Sequence, residues 1–267
     1  MKHSQDNAFR GGGHPYKSPA LGFGFTIAEV LITIAIIGVV IAMTLPSIIQ
    51  KHQEKEWVTA YLRVYAILEN AYKMAQVENG TFDNWAGCTL TLANDGEYNR
   101  TASNGMMVFD MVIRPYVKTN VTIKNLTTWN DKNCWPDKSN DLFGDDASMD
   151  NSHRVPAVSL MSGECIILGH PYADFMVDLN GKKRPNTIGK DQFMFSFDIT
   201  KRTRLKPGYY QRWWTDIPAY CHESKSSSDV GWTPGTSCGF WILRYHNMDY
   251  LHMSYEELKK KWNGGWW

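Results

Sequence analysis

A single carboxylate stands near the start of the most apolar run in this sequence. Residues 24–46 read GFTIAEVLITIAIIGVVIAMTLP, and Glu29 is the one ionisable side chain among them. An ionised carboxylate placed in hydrocarbon costs roughly 3 kcal/mol on insertion scales. Glu29 therefore requires an oppositely charged partner or a specific purpose, which makes it the first candidate for chemistry in the chain.

A second group of oxygen-bearing side chains lies in residues 177–193, VDLNGKKRPNTIGKDQF. The Asn-Gly pair that begins at Asn180 stands between two strand-like runs and predicts a turn or hairpin loop. Asp178, Asn180 and Asp191 also offer the hard oxygen ligands that calcium accepts. The helix-loop-helix calcium pattern is absent. A metal-free turn is the favoured interpretation, and calcium is the alternative.

The five cysteines show no spacing typical of a metal site; they are Cys88, Cys134, Cys165, Cys221 and Cys238. None forms a C-x-x-C pair, and no Cys/His spacing matches zinc. In a chain whose bulk lies outside the cytoplasm, disulfides are the better account. The odd count leaves at least one thiol unpaired, or paired between chains.

Catalytic motifs are missing from the sequence. Ser162-Gly163-Glu164 is not a nucleophile elbow, the eight histidines include no H-E-x-x-H spacing, and residues 11–13 lack the lysine of a phosphate loop. Charge is nearly balanced, with 28 Lys and Arg against 27 Asp and Glu among 267 residues, so no basic field indicates nucleic acid. We therefore expect neither an enzyme nor a nucleic-acid-binding protein.

The elements that position Glu29 begin with a cytoplasmic leader and a membrane span. Residues 1–24 are rich in Gly and Pro, and carry three basic residues against one acid, as expected for a segment that stays in the cytoplasm. The apolar run from Phe25 to Leu45 would form a helix of about 30 Å, the thickness of the bilayer core. An uncleaved signal anchor is the simplest alternative.

The junction Gly24-Phe25-Thr26-Ile27-Ala28-Glu29, followed by LITIAIIGVV, resembles the N-terminus of the type IV pilin and type II secretion pseudopilin superfamily. The resemblance implies that a prepilin peptidase cuts between Gly24 and Phe25, removes the leader and methylates the new amino terminus of Phe25. It also places Gly38 and Pro46 where that family has a helix glycine and a helix-kinking proline.

The same resemblance gives Glu29 a role and the chain a location. It implies that Glu29 meets the N-terminal amine of a neighbouring subunit, so that a buried charge sets the register of assembly. The implied partners are copies of this chain, other pilins or pseudopilins, the prepilin peptidase and an assembly platform protein. The implied location is the bacterial inner membrane, with a single pass and a periplasmic head, and then a filament or the cell surface.

Residues 47–79 predict an amphipathic helix that continues the membrane span. Apolar side chains recur there at three- and four-residue steps, namely Trp57, Tyr61, Val64, Tyr65, Leu68, Ala71, Tyr72 and Ala75. Asn79-Gly80 is a C-terminal stop signal. We expect the aromatic stripe to pack against the rest of the protein.

Residues 80–267 predict a β-rich head, which gives an α+β fold: a long N-terminal helix packed on an antiparallel sheet, as in pilins. The candidate strands are residues 106–113, 164–168, 174–179, 193–199 and 240–245. Residues 119–155 read as a loop or insertion. Ser254 and Glu257 have the spacing of a capping box for a short helix through Trp262.

The two C-terminal cysteines bracket 16 residues and are assigned to each other with the help of the resemblance. Many type IV pilins carry a similar disulfide-bounded C-terminal loop, which implies a bond between Cys221 and Cys238. Such a loop contributes about 3 kcal/mol in the chain-entropy model. A second expectation pairs Cys88 with Cys134 and leaves Cys165 as a buried free thiol.

Together these features predict a structural subunit of a type IV pilus or of a type II secretion pseudopilus. Two alternatives remain at this point. One is a minor or tip pilin with an adhesive head that binds a glycan or a surface. The other is a membrane-tethered binding protein that never polymerises, which would keep its leader.

Overall fold

The computed structural model describes residues 24–81, 85, 109–120, 134–147, 157–168, 174–197, 205–208, 217–222 and 233–262. Two compact units divide the chain, Met1–Ile48 and Ile49–Trp267. Helix α1, Ile27–Asn79, runs through both sequence ranges. The combination of this helix with a five-stranded antiparallel sheet confirms the predicted α+β class.

In the first unit, every described residue is exposed. Pro46 lies inside α1, whose helical assignment continues on both sides. Two hydroxyls bond backbone carbonyls near the proline: Thr44 Oγ1 donates to Val40 O at 2.9 Å, and Ser47 Oγ donates to Thr44 O at 2.9 Å. Serine and threonine hydroxyls commonly bond the backbone carbonyl three or four residues earlier in a helix.

In the second unit, α1 buries one stripe of its surface. The buried members are Val58, Tyr61, Val64, Leu68, Ala71, Tyr72 and Ala75, at the three- and four-residue spacing read from the sequence. The helix ends at Asn79, and Gly80 follows with φ 77°. Glycine takes this left-handed conformation without a Cβ penalty, which explains why the helix stops there.

The sheet is a meander in which each strand pairs with the next one along the chain. Its strands are β1 Ala157–Ser159, β2 Cys165–Leu168, β3 Asp174–Asp178, β4 Gln192–Phe197 and β5 Leu205–Pro207, in spatial order β1-β2-β3-β4-β5. All four pairings are antiparallel. The predicted strands at 164–168, 174–179 and 193–199 correspond to β2, β3 and β4.

The main core lies between the sheet and the buried stripe of α1. Alternation along β4 directs Phe193, Phe195 and Phe197 to this core. Tyr61 lies 4.7 Å from Phe193 and 5.2 Å from Phe195, and Tyr72 lies 4.4 Å from Phe197, as ring-centroid distances. Aromatic pairs at such separations add about 0.5–1.5 kcal/mol each beyond area burial.

A polar clamp also joins α1 to the sheet. The carboxylate of Glu164 is fully buried in the β1–β2 turn. It accepts hydrogen bonds from the Arg63 guanidinium on α1 and from the Ser162 hydroxyl. A buried carboxylate requires such a charged partner, so this pair fixes the turn against the helix.

The C-terminal region is helical. It contains α3 Ile217–His222, α4 Cys238–Tyr245, a 3₁₀ helix Asp249–His252, and α5 Tyr255–Lys261. The predicted capping box is present at α5: the Ser254 side chain accepts from the backbone of Glu257, whose side chain accepts in turn from Ser254 N. Trp262 is the C-cap residue of α5.

Two predicted strands are wrong. Residues 109–113 form a π-helical turn that leads into α2, Arg114–Tyr116, and residues 240–245 lie in α4. Residues 106–108 lie outside the described part of the chain. Short apolar runs have no period that separates a strand from a buried helix. An Asp110–Arg114 ion pair at 3.0 Å, four residues apart, favours the helical turn.

The second cysteine expectation is also wrong. Cys134 is bonded to Cys165, whereas Cys221 is bonded to Cys238. Cys165 on β2 directs its side chain to the face of the sheet opposite α1, where Trp135, Ile167 and Met176 form a smaller core cluster. The Cys134–Cys165 bond therefore ties the 134–147 loop onto that face. Cys88 lies outside the described residues.

Candidate functional site

The N-terminal end of α1 is closed by a capping box of Thr26 and Glu29. The amide of Thr26 donates to Glu29 Oε2 at 2.8 Å, and Thr26 Oγ1 donates to the same oxygen at 2.9 Å. In return, Glu29 N donates to Thr26 Oγ1 at 3.2 Å. This reciprocal arrangement satisfies backbone donors that the first turn of a helix leaves without intrahelical partners.

The cap gives Glu29 a structural task that the sequence reading missed, although the Thr-x-x-Glu spacing is visible in the sequence. It explains why position 29 carries a side-chain oxygen. Glutamine could also supply this oxygen, but a carboxylate interacts more favourably with the positive end of the helix dipole. In hydrocarbon the charge of Glu29 still carries the cost given above unless a positive group meets it.

The other residues predicted at this end of the chain are exposed. Phe25 is 85% exposed, and a methyl group added at Gly24 or Gly38 would meet no atom within 4 Å. Glycine in a helix interior costs roughly 0.5–1 kcal/mol relative to alanine. Within the described residues, packing gives no reason for glycine at position 38.

The apolar part of α1 is long and hydrophobic enough to cross a membrane. Its most apolar window has a mean hydropathy of 2.5 and is 0% buried. Large apolar side chains are exposed on all sides of the helix, namely Ile27, Val30, Leu31, Ile32, Ile34, Ile36, Ile37, Val39, Val40, Ile41, Met43, Leu45, Ile48 and Ile49. A helix that is apolar all round requires lipid or other protein around it.

The second candidate site is the loop between β3 and β4. It brings Asp178, Asn180 and Asp191 together, as hydrogen bonds within the loop show. Asn180 N donates to Asp178 Oδ1 at 3.0 Å, and Asn180 Nδ2 donates to Asp191 Oδ2 at 3.2 Å. Gln192 Nε2 donates to Asp178 Oδ2 at 2.9 Å. The loop is thus a turn built on two carboxylates.

Asp191 organises the second half of this loop. Its Oδ2 accepts from Asn186 N at 2.9 Å, and its Oδ1 accepts from Thr187 N at 2.7 Å. Asn186 has φ 53°, a left-handed conformation that asparagine tolerates better than most residues. The carboxylate therefore holds the backbone turn that returns the chain to β4.

Both carboxylates of the loop are fully buried, and their electrostatics follow from that burial. Burial, and next the neighbouring charge of Asp191, raise the pKa of Asp178 to about 8. Burial also raises the pKa of Asp191, although hydrogen bonds from Thr187, Asn186 and Asn180 oppose the change. At neutral pH the folded loop favours a bound proton, or another positive charge, at this pair.

Three amide oxygens in and beside the loop are buried without a hydrogen-bond partner: Asn180 Oδ1, Asn186 Oδ1 and Gln192 Oε1. Unpaired buried acceptors cost free energy and call for a donor, a water molecule or a cation. Amide and carboxylate oxygens are both ligand types that calcium accepts. The described residues contain no group of three or more His, Cys, Asp or Glu side chains that could hold a metal.

The loop is held from its outer side by the C-terminal region. Tyr250 Oη donates to Gly189 O at 2.7 Å. Gly235, with φ 99°, packs so closely that a Cβ there would lie 2.3 Å from Ile188 O. A Cβ on Gly189 would lie 3.3 Å from Cys238 Sγ. The Cys221–Cys238 disulfide thus stands directly behind the carboxylate loop.

Residues 47–216 match the profile of a family of unknown function, DUF6613. The matched range begins after the apolar run, includes the carboxylate loop and ends before Cys221. No curated protein and no solved structure matches the chain.

Proposed function

Because the chain belongs to this family of unknown function, its role has to be argued from its own residues, and we propose that it is a pilin-like structural subunit. In this proposal a prepilin peptidase cuts between Gly24 and Phe25, and the subunit joins a type IV pilus or type II secretion pseudopilus through α1. The observation that carries the proposal is the exposed apolar half of α1, with the single carboxylate Glu29 in its first turn.

The exposed surface of that half supports assembly by helix packing. In a membrane, helices associate through close packing, and small residues at the contact let two backbones approach. Gly38 has open space around it, which suits such an approach. Lipid would surround the apolar side chains before assembly, and neighbouring helices would surround them afterwards.

The charge of Glu29 supports a role for this residue in setting the axial register between neighbouring subunits. Cleavage after Gly24 would create an ammonium at Phe25, and an opposite charge within a few ångströms lowers the cost of burying both groups. The Thr26 hydroxyl and amide already hold the carboxylate at the end of the helix. A neighbouring subunit that brings its amine to this carboxylate would satisfy both charges at one axial position only.

Processing is tested by intact mass spectrometry and N-terminal sequencing of the protein from its native membrane. We expect a chain that begins at Phe25 with one added methyl group. A chain that retains residues 1–24 refutes the proposal and favours a non-polymerising tether.

Assembly is tested with three variants scored for cleavage and for incorporation into filaments. Glu29→Val removes both cap and charge, Glu29→Gln keeps the cap oxygen without the charge, and Thr26→Ala keeps the charge but weakens the cap. We expect all three to be cleaved, both Glu29 variants to incorporate poorly, and Thr26→Ala to incorporate. Normal incorporation of Glu29→Gln would show that position 29 serves the cap alone.

A further inference from the structure

The C-terminal segment 249–262 is bound to α1 close to the end of its apolar run. His252 Nε2 lies 2.9 Å from Glu54 Oε1, and the Glu54 side chain is 13% exposed. Glu54 follows Leu45, the last residue of the apolar run that spans the bilayer core, by nine residues. At the helical rise this is about 14 Å along the helix. The polar headgroup layer on each side of a bilayer core is about 5–8 Å thick. Glu54 therefore lies within about one Debye length of the outer edge of that layer, the range over which an anionic surface attracts cations.

The last turn of α5 carries three adjacent exposed lysines, Lys259, Lys260 and Lys261. Lys261 Nζ lies 3.3 Å from Asp249 Oδ2, which folds this turn back onto the 3₁₀ helix that contains His252. Because that helix is bound to Glu54, the lysines belong to the same end of the second unit. The acidic residues of α5 occupy its other end, in the first turn.

Partly buried aromatic rings accompany these cations. Arg244 stacks over the ring of Trp262 at 5.0 Å, and Lys261 lies 5.9 Å from the ring of Tyr245. Tyr245 Oη donates to Lys261 O at 2.9 Å. Tryptophan and tyrosine combine an apolar ring with a polar group and are enriched at the membrane–water interface. Lysine and arginine flank them here.

We propose that the last turn of α5, with Trp262, is a docking surface for the anionic headgroup layer of the membrane that α1 would span. The surface would hold the head against the bilayer while the subunit waits to assemble. The proposal rests on the membrane anchoring proposed above, but not on cleavage or polymerisation. A protein partner at the same surface is the alternative that the experiment must separate.

The experiment uses the full-length chain in lipid nanodiscs, either purely zwitterionic or containing phosphatidylglycerol. Amine-reactive labelling read by mass spectrometry gives the rate at each lysine. We expect Lys259 and Lys260 to react about fivefold more slowly in anionic discs, the effect of about one lysine charge at an anionic surface. High salt should remove the protection, because it screens the attraction.

Matched controls are Lys73 and Lys118. Lys73 lies 19 residues beyond Glu54 on α1, and Lys118 follows α2, whose Tyr116 donates to Glu78 at 2.5 Å. Both belong to the far end of the helix and should react equally in the two discs. In the wild type we expect Lys261 to share the salt-sensitive protection, and the double variant Lys259→Gln/Lys260→Gln should remove it.

Each remaining outcome overturns the proposal in a distinct way. A chain that fails to enter either disc removes the membrane anchor and this proposal together. A chain that enters both discs with equally reactive α5 lysines overturns this proposal alone. Protection that rises with the number of chains per disc, whatever the lipid, assigns the surface to a second copy instead.

Discussion

Replacing Asp178 with asparagine should make the protein more stable at neutral and alkaline pH. The wild-type carboxyl has a pKa of about 8 in the folded chain because it is buried beside Asp191, against 3.8 for the ordinary group. The folded state therefore binds more protons than the unfolded state between these values, so stability falls as pH rises through them. At about 1.4 kcal/mol per pH unit, the loss between pH 4 and pH 7 is about 4 kcal/mol.

The asparagine variant keeps the hydrogen bonds that this position makes. Its Oδ1 can still accept from Asn180 N. Its Nδ2 can donate to Gln192 Oε1, which has no hydrogen-bond partner in the wild type, once that amide turns over. The variant has no proton to lose in this range, so its unfolding free energy should lack the part of the pH dependence that Asp178 contributes.

The assay is urea unfolding of the full-length chain in detergent with a calcium chelator, at intervals from about pH 4 to about pH 8. The control is Asp137→Asn, at an exposed position of the 134–147 loop. The quantity of interest is the variant's unfolding free energy minus that of the wild type. This difference should grow steadily with pH for Asp178→Asn and stay constant for the control. A constant difference for both variants refutes the reasoning.

Three further predictions concern the surroundings of the same loop. Gly235→Ala should destabilise the fold by about 2–4 kcal/mol, because the left-handed backbone is strained and the methyl group would overlap Ile188 O; Gly144→Ala, at φ 98° with open space, should cost only about 1 kcal/mol in the same unfolding assay. Replacing both Cys221 and Cys238 by alanine should cost about 3 kcal/mol by chemical denaturation, the loop-closure term for their separation of 17 residues. If the oxygens of the β3–β4 loop bind calcium, adding calcium at pH 8 should raise the melting temperature more than adding magnesium does. A melting temperature that calcium does not change would indicate that the loop is a metal-free turn.

The sequence was most informative where a long period or a specific end signal was present. The stripe of α1 repeats over many turns, so its buried face could be read directly, and Asn79-Gly80 marked its end. The capping box at Ser254 is similarly local and was found at the expected residues. Strands β2, β3 and β4 could be predicted because turn-forming residues flank each of these apolar runs.

The wrong predictions concern features that the local sequence does not determine, namely strand against helix for short apolar runs and the choice of cysteine partner. Residues 109–113 and 240–245 are short apolar runs, and only their tertiary surroundings make them helical. The partner of Cys134 depends on which face of the sheet Cys165 occupies, and that follows from strand register rather than from cysteine spacing. Register is fixed by the whole sheet, so the pairing could not be read from the sequence.

The residues of the candidate sites could be predicted from the sequence, but their burial and hydrogen bonding could not. The turn at Asn180 and the two aspartates could be named from residue types. That Gln192 and Asn186 complete the loop, with buried oxygens left unpaired, depends on side-chain placement that no motif encodes. At the other end of the chain, the role of Glu29 as a cap was readable from the Thr-x-x-Glu spacing.

The order of strands in the sheet has a consequence for how the protein is made. Each strand pairs with the one synthesised just before it, and α1, which supplies the aromatic wall of the core, precedes them all. Neighbours in sequence meet with little loop-closure entropy, so pairing of this kind is fast. The sheet of a head emerging from a ribosome or a translocation channel can therefore form strand by strand upon a helix that is already present, and the C-terminal helices complete the core last.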